Sequence, residues 1–361
     1  MADGTHSDNK LRSARPTLRV DGREQAELAA GLLELSIIET AQGMYRCEAT
    51  FGNWGPRDGG TGFLYFDRAL LDFGKPFEVR LGTTDVLFEG RILALEADYP
   101  ESAPPTLTVL AEDRLQDLRM TRRTNTYADV SDADVLRQVA SKHGLTPDLN
   151  VSGPTHKVLA QVNQSDLAFL RERCRAVDVE LWVEGRTLKA KKRGARSSGE
   201  ALKLGRGNEL TSFTVLADLA HQRSAVTVSG WSVQDKDAVT HEAGPSALGA
   251  ELGNDESGAS LLSSKLAERK EAVVHAVPLG SQEAQARAEG LFRQMARRFV
   301  VGRGTAQTDA RLRVGTRVEL LGLGPLFSGK YHLAEVKHLF DGTRGLRTEF
   351  LAERVGLGRA S

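Results

Sequence analysis

The sequence predicts a mainly β fold with an α+β component: two barrel-like β domains flanking a small α+β domain. Three observations carry this reading. Short alternating strands, broken by turn residues roughly every eight to twelve positions, fill both ends of the chain. Two segments with helix-start signals interrupt that rhythm in the middle. At 361 residues the chain is also too long for one ordinary core. The expected organisation is a disordered arm at 1–16, a first β-barrel domain at 17–118, an α+β domain at 119–203, a second β-barrel domain at 204–355, and a tail at 356–361.

In the first domain, Thr17-Leu18-Arg19-Val20 followed by Asp21-Gly22 reads as a strand ending in a turn. Leu32 to Ile38 alternates, with Leu33, Leu35 and Ile37 set against Glu34, Ser36 and Ile38; Tyr45 to Phe51 is the next strand. Phe77 to Leu81 and Asp85 to Ile92 form an expected hairpin, and Ala94 to Tyr99 and Thr106 to Leu110 complete the set. Asp67 to Phe73 is expected to be a short helix.

From Thr126 the period changes. Ser131 opens a helix with Asp134 three residues on, an acidic variant of the capping box. Val135, Leu136, Val139 and Ala140 form its inner face, and Gly144 suits a left-handed stop. Strands near 145–149 and 157–162 lead to a second helix. Ser165 caps it, Asp166 complements its dipole, and Leu167, Leu170, Cys174 and Val177 make the apolar stripe. Val179 to Val183 and Thr187 to Ala190 read as a hairpin across Glu184-Gly185-Arg186.

Beyond Leu210, strands return at Thr211 to Leu219, Ser224 to Val233, Phe299 to Gly302, Val314 to Leu321, Gly329 to Phe340 and Arg347 to Glu353. Residues 243–264 are rich in Gly, Ser, Ala and acidic groups and read as a flexible loop. A helix spans 282–298, capped by Ser281, with Ala284, Ala288, Leu291, Phe292 and Met295 as its stripe.

Composition excludes several classes. The chain is 40% hydrophobic and 27% charged, a globular balance. With 48 basic and 48 acidic side chains it lacks the basic excess of a duplex-nucleic-acid binder, so no nucleic-acid partner is expected. The one dense basic run, Lys189-Ala190-Lys191-Lys192-Arg193, reads as a solvated strand end. Cys47 and Cys174 are too far apart in sequence and lack the spacing for a zinc site or disulfide framework. Met1 to Arg15 has no apolar signal region, and no stretch of roughly eighteen apolar residues follows. The expectation is synthesis in the bacterial cytoplasm, unprocessed and without membrane insertion.

The stretch Val162-Asn163-Gln164-Ser165-Asp166-Leu167-Ala168-Phe169-Leu170-Arg171-Glu172-Arg173 resembles a signature of contractile-tail hub proteins, with Asn163, Ser165, Asp166, Phe169 and Leu170 followed by basic residues. These relatives are the phage late control protein D family, the hub half of type VI spike proteins, and hubs of extracellular injection particles. The end of the chain strengthens the resemblance: Phe327, Gly329, Tyr331 and His338, with Leu333 where valine is usual, then Thr348 and Phe350, fit the family's closing pattern. It spans roughly 17–355 and implies two tail-tube-like barrels per chain, so that three chains present six in a ring. The implied function is a structural baseplate hub, a homotrimeric adaptor joining a hexameric inner tube to a trimeric spike, beside other baseplate proteins. The chain ends at Ser361 without the added domain and β-needle of type VI relatives, which implies that the spike is a separate polypeptide. The implied location is a phage tail, a tail-like bacteriocin or an injection particle.

No catalytic, cofactor-binding or metal residue is expected. The sequence has no His-Glu-x-x-His, Gly-x-Ser-x-Gly or Gly-Lys-Ser/Thr phosphate loop. Gly205-Arg206-Gly207 and Gly322-Leu323-Gly324 read as turns. His332 and His338, read as sharing one face of a strand, lack a matching acidic or cysteine partner for a metal and are expected to be satisfied or solvent-facing. Trp54, Trp182 and Trp231 are expected in barrel or hairpin cores, with interface packing as the alternative. The competing function is a muralytic, peptidoglycan-cleaving tail hub, which would need an added domain with paired carboxylates or a metal motif.

Overall fold

The computed structural model describes residues 15–358 except 58, 198, 234 and 275–279. The fold is mainly β. Its spine is a 13-stranded sheet that runs through both ends of the chain. Period-two burial builds it: in Thr106–Glu112, Leu107, Val109 and Ala111 point inward while Thr106, Thr108, Leu110 and Glu112 are only partly covered.

The first β unit orders its strands as Leu32–Thr40, Arg46–Gly52, Thr106–Glu112, Asp85–Asp98, Pro76–Leu81 and Thr17–Val20, around a core that includes Ile37, Phe51, Phe77, Ile92 and Val109. The second orders Leu210–Ala217, Val300–Gln307, Gly345–Arg354, Gly329–Asp341, Arg317–Leu321 and Leu202–Gly205, around Phe299, Val318, Tyr331, Leu333 and Phe350. These are the same order, strand for strand. The agreement extends to a β-bulge: the long fourth strand is bulged between Ile92 and Ala94 in the first unit and between Leu333 and Glu335 in the second. Aligning the bulges matches Leu110 with Leu351 and Ala111 with Ala352 on the neighbouring strand. One departure exists: Thr17–Val20 pairs antiparallel with its neighbour, Leu202–Gly205 parallel.

The two units are fused through the strand Gly329–Asp341. On one side its first half pairs with Arg317–Leu321 and its second half, from Glu335 on, pairs with Leu32–Thr40 of the first unit. Backbone hydrogen bonds therefore run without a break from one unit to the other.

The middle of the chain forms its own core, including Leu136, Val139, Leu167, Leu170, Cys174, Leu181 and Leu188. The capping box forms as expected: Ser131 Oγ accepts from the Asp134 amide while Asp134 accepts from the Ser131 amide, starting the helix Asp132–Lys142. Gly144 follows with φ +64°. Ser165 Oγ accepts from the Ala168 amide and starts Asp166–Ala176.

Several expectations are corrected. Residues 243–264 are not a loop: a 3-10 turn, Pro245–Glu251, and the helix Gly258–Leu266 occupy most of the segment, burying Leu248, Ala259 and Leu262. Small residues there allow close packing; the Gly258 α-carbon sits against the Phe299 ring, leaving a Cβ only 2.7 Å from Cγ. Ala225–Ser232 leaves the spine and pairs with Asp237–Ala243 and, in parallel, with Lys270–Val274, beneath the helix Ser281–Ala296. That helix is preceded by Gly280, and Ser281 makes no cap bond. Asp67 to Phe73 is a series of turns, with the Asp67 carboxylate accepting from the Ala69 amide. Leu33 is 46% exposed, because a bulge between Leu32 and Glu34 puts Leu32 inward in its place, while Glu39 lies inward in phase with Leu35 and Ile37. Of the arm at 1–16, residues 1–14 lie outside the described residues. Pro16 is buried, and Arg15 donates to Leu32 O at 2.9 Å. In the tail, Gly356–Leu357 pairs with Glu256–Ser257.

Candidate functional site

The polar chemistry of the chain gathers where the units meet. Asp178, at the end of the helix Asp166–Ala176, receives Arg297 in a bidentate pair at 2.5 and 2.9 Å, and the same guanidinium reaches both oxygens of Glu251 at 2.9 and 2.7 Å. One arginine thus ties the α+β unit to two separate segments of the second unit. Glu180 accepts from Arg193 at 3.1 Å and Arg196 at 2.8 Å, and Arg193 also reaches Glu353 at 2.7 Å. Arg196 stacks 4.3 Å above the Trp182 ring and donates to the Tyr45 hydroxyl. Burial pushes the Glu180 carboxyl up, but Arg196 and Arg193 prevail and hold it at about 2. Glu39, fully buried, accepts from Arg313 and from the Val314 amide at 3.1 Å. Arg171 donates to the carbonyls of Gln42 and Gly43 at 2.8 and 3.0 Å.

The residues of the Asn163-to-Asp166 signature serve this architecture. Asn163 takes a left-handed φ of +47°. Asp166 is 1% exposed and accepts from Gln161 at 2.9 Å, His143 at 2.8 Å, and Lys142 and Arg123 at 3.2 Å each. Burial raises its carboxyl, and the hydrogen bonds from Gln161, His143 and Lys142 outweigh that and keep it below the usual range. The signature is a clamp between the two-stranded antiparallel ribbon Arg122–Ser131 with Thr155–Ser165 and a helix start.

His332 and His338 do not share a face. The bulge at Ala334 inverts the alternation, so Tyr331 and Leu333 point inward before it and Val336, His338 and Phe340 after it. His338 is completely buried, with Nδ1 2.9 Å from the Thr348 hydroxyl. His332 lies 3.9 Å from Glu180. Burial lowers both rings to about 3, helped by Arg313 at His338 and Arg193 at His332, so both are neutral at physiological pH. Among the described residues no group of three or more His, Cys, Asp and Glu could hold a metal. The buried acids described above each accept from at least one cationic side chain; Asp113 accepts from backbone amides. Burial raises its carboxyl to about 7, while the Tyr45 and Leu115 amides donate to it at 2.8 and 2.9 Å.

Of the tryptophans, only Trp182 is in a core; Trp54 and Trp231 are 46% and 52% exposed. Trp54 belongs to a hairpin, Trp54–Arg57 with Gly60–Phe63, that stands off the sheet with Phe63, Phe66 and Tyr99 against it. Three of the four cations of the basic run are paired within the fold: Lys189 with Glu184, Lys191 with Asp148 and Arg193 with Glu180. Both cysteines are free and buried. No helix of the described residues is long and apolar enough to cross a membrane.

This mainly β fold is similar to that of phage tail proteins and type VI-related baseplate proteins. The 43 kDa tail protein of prophage MuSo2 from Shewanella oneidensis superposes with a TM-score of 0.69 at 12% identity, covering 94% of this chain and 98% of that one. A tail protein from Neisseria meningitidis gives 0.69 at 14% identity, with 94% and 96% covered. The Escherichia coli c3393 protein, described as a type VI secretion component structurally similar to the T4 tail proteins gp27 and gp5, gives 0.56 at 12% identity, with 95% and 79% covered. The chain belongs to the Alg8 N-terminal domain family, whose model matches residues 63–341. No curated protein matches it.

Proposed function

We propose that the protein is the structural baseplate hub of a contractile phage tail or tail-like injection particle. In this reading residues 17–118 and 204–355 act as two tube-like domains, with 119–203 set beside them. Three copies then present six such domains to a hexameric inner tube above and dock a separate trimeric spike below. The protein is made in the bacterial cytoplasm and works in the assembled particle, touching other baseplate proteins, with no reaction of its own.

The single observation that carries this reading is the repeated strand order in one continuous sheet. A chain with two equivalent units converts threefold into sixfold symmetry, which is what a joint between a trimer and a hexamer requires. Likeness to tail proteins over nearly the full length of both chains supports it. Buried arginine clamps that lock the units together suit a part that transmits force. Co-expression with a candidate trimeric spike protein, followed by light scattering, should give a complex built on three copies. Purified chain that digests peptidoglycan would replace this reading with the muralytic one.

A further inference from the structure

The internal repeat points to the contact between copies, an inference that rests on the ring reading above. Inside the chain, the half of Gly329–Asp341 beyond its bulge pairs with Leu32–Thr40. The counterparts of these two segments are the half of Asp85–Asp98 beyond its own bulge and the strand Leu210–Ala217. Both counterparts have an unpaired edge. Residues 94–98 bond to Thr106–Glu112 on one side, while the Pro76–Leu81 pairing on the other side stops at Arg91. Among the described residues, Leu210–Ala217 ends the sheet: it pairs with Val300–Gln307 and otherwise makes a single bridge, Leu210 with Arg206.

We propose that these two edges pair antiparallel between neighbouring copies, in the register of the internal seam. His338 faces Ile37 and Lys337 faces Ile38 within the chain. Bulge-aligned, this sets Ala97 of one copy opposite Val215 of the next, and Glu96 opposite Leu216.

Three observations favour a second copy as the occupant. Phe340 is 5% exposed at the internal seam, whereas its counterpart Tyr99 is 63% exposed in the single chain. Leu216, on the facing edge, is 64% exposed. Unpaired edges bearing large apolar side chains, without a proline or an edge lysine to block them, are the kind that folded proteins cover. Charge is complementary as well: Glu96 and Asp98 are exposed on one edge, and Arg303, exposed, lies beside Thr214 behind the other. The contact is head-to-tail, so it propagates around a ring and leaves neither of these two edges free once the ring closes.

Cysteine cross-linking tests the register. Glu96→Cys combined with Leu216→Cys places thiols on two exposed positions, and the native cysteines are buried. Mild oxidation of the concentrated protein should move most of it from monomer to disulfide-linked multimers on a non-reducing gel. Either single variant, and the register-shifted pair Glu96→Cys with Thr214→Cys, should stay mostly monomeric, because a two-residue slip moves the thiols to a diagonal roughly 7–8 Å apart. A matched pair that forms oligomers by light scattering yet links no better than the shifted pair overturns this interface and leaves the ring reading standing. A chain that is monomeric at every concentration overturns both.

Discussion

Ile37 and His338 face each other across the seam that joins the two β units. Both are completely buried, and the imidazole is the one group in that pair able to carry charge. Its ring is held at about 3 by burial and by Arg313, well below the ordinary histidine value. A histidine depressed in the folded state favours folding fully when pH is above its unfolded pKa, and loses that contribution as pH falls toward the folded value. Stability should therefore decline from about pH 6.5 downward, with His332, also near 3, adding to the same slope. His338→Leu should flatten part of the decline, since Thr348 keeps Thr308 as a partner at 3.2 Å. Thermal melting from pH 7 to 4 checks this; an unchanged pH slope in the variant would remove His338 from the account.

Arg297 supplies the second expectation. Arg297→Ala strips both carboxylates of their bidentate partner, leaving buried Asp178 with Arg293 alone at 3.5 Å. Breaking one partner of such a buried network costs about 3–5 kcal/mol. Urea unfolding should show this loss, with the contact between the α+β unit and the helix Ser281–Ala296 protected less in hydrogen exchange.

The signature residues should separate by role. Ser165→Ala removes one cap bond and should cost about 1 kcal/mol. Asp166→Ala strips the shared acceptor from Gln161, His143, Lys142 and Arg123 and should cost more, about 3 kcal/mol or above. Equal effects of the two changes would show that the clamp is not what the carboxylate provides.

In the second unit, Gly302 and Gly304 lie under aromatic rings. A Cβ on Gly302 would fall 2.0 Å from Cζ of Phe213, whose ring is itself packed edge-on against Tyr331 at 5.7 Å. Gly302→Val should destabilise by about 1–3 kcal/mol through overpacking. The equivalent position in the first unit holds Cys47, so the reverse exchange, Cys47→Gly, should leave a void and also destabilise.

Much of this was legible in the sequence where the cause is local. Ser131 with Asp134, and Ser165 with Asp166, announced their helices because caps act within one turn. The alternation in Thr106 to Leu110 announced a strand because burial on one face repeats every second residue. What escaped was set by register. The bulge at Ala334 put His338 and His332 on opposite faces, and the bulge at Leu32 exposed Leu33. Strict period-two counting passes over an inserted residue. The 243–264 segment escaped because small residues read as flexible when counted, yet here they permit close approach to Phe299. Limited proteolysis should accordingly spare this segment as much as the strands of the main sheet. The repeat itself left a faint trace, Leu110-Ala111-Glu112 against Leu351-Ala352-Glu353, which becomes meaningful once both triplets occupy the same strand of the same order.

The central claim is that two repeated units in one chain let three copies make a sixfold face. Light scattering of the protein co-purified with its spike, paired with electron-microscopy class averages down the particle axis, tests it most directly. The account expects a mass corresponding to three copies of this chain and a ring with six similar lobes. A stable monomer that joins neither spike nor tube, or a ring of any other copy number, would contradict it.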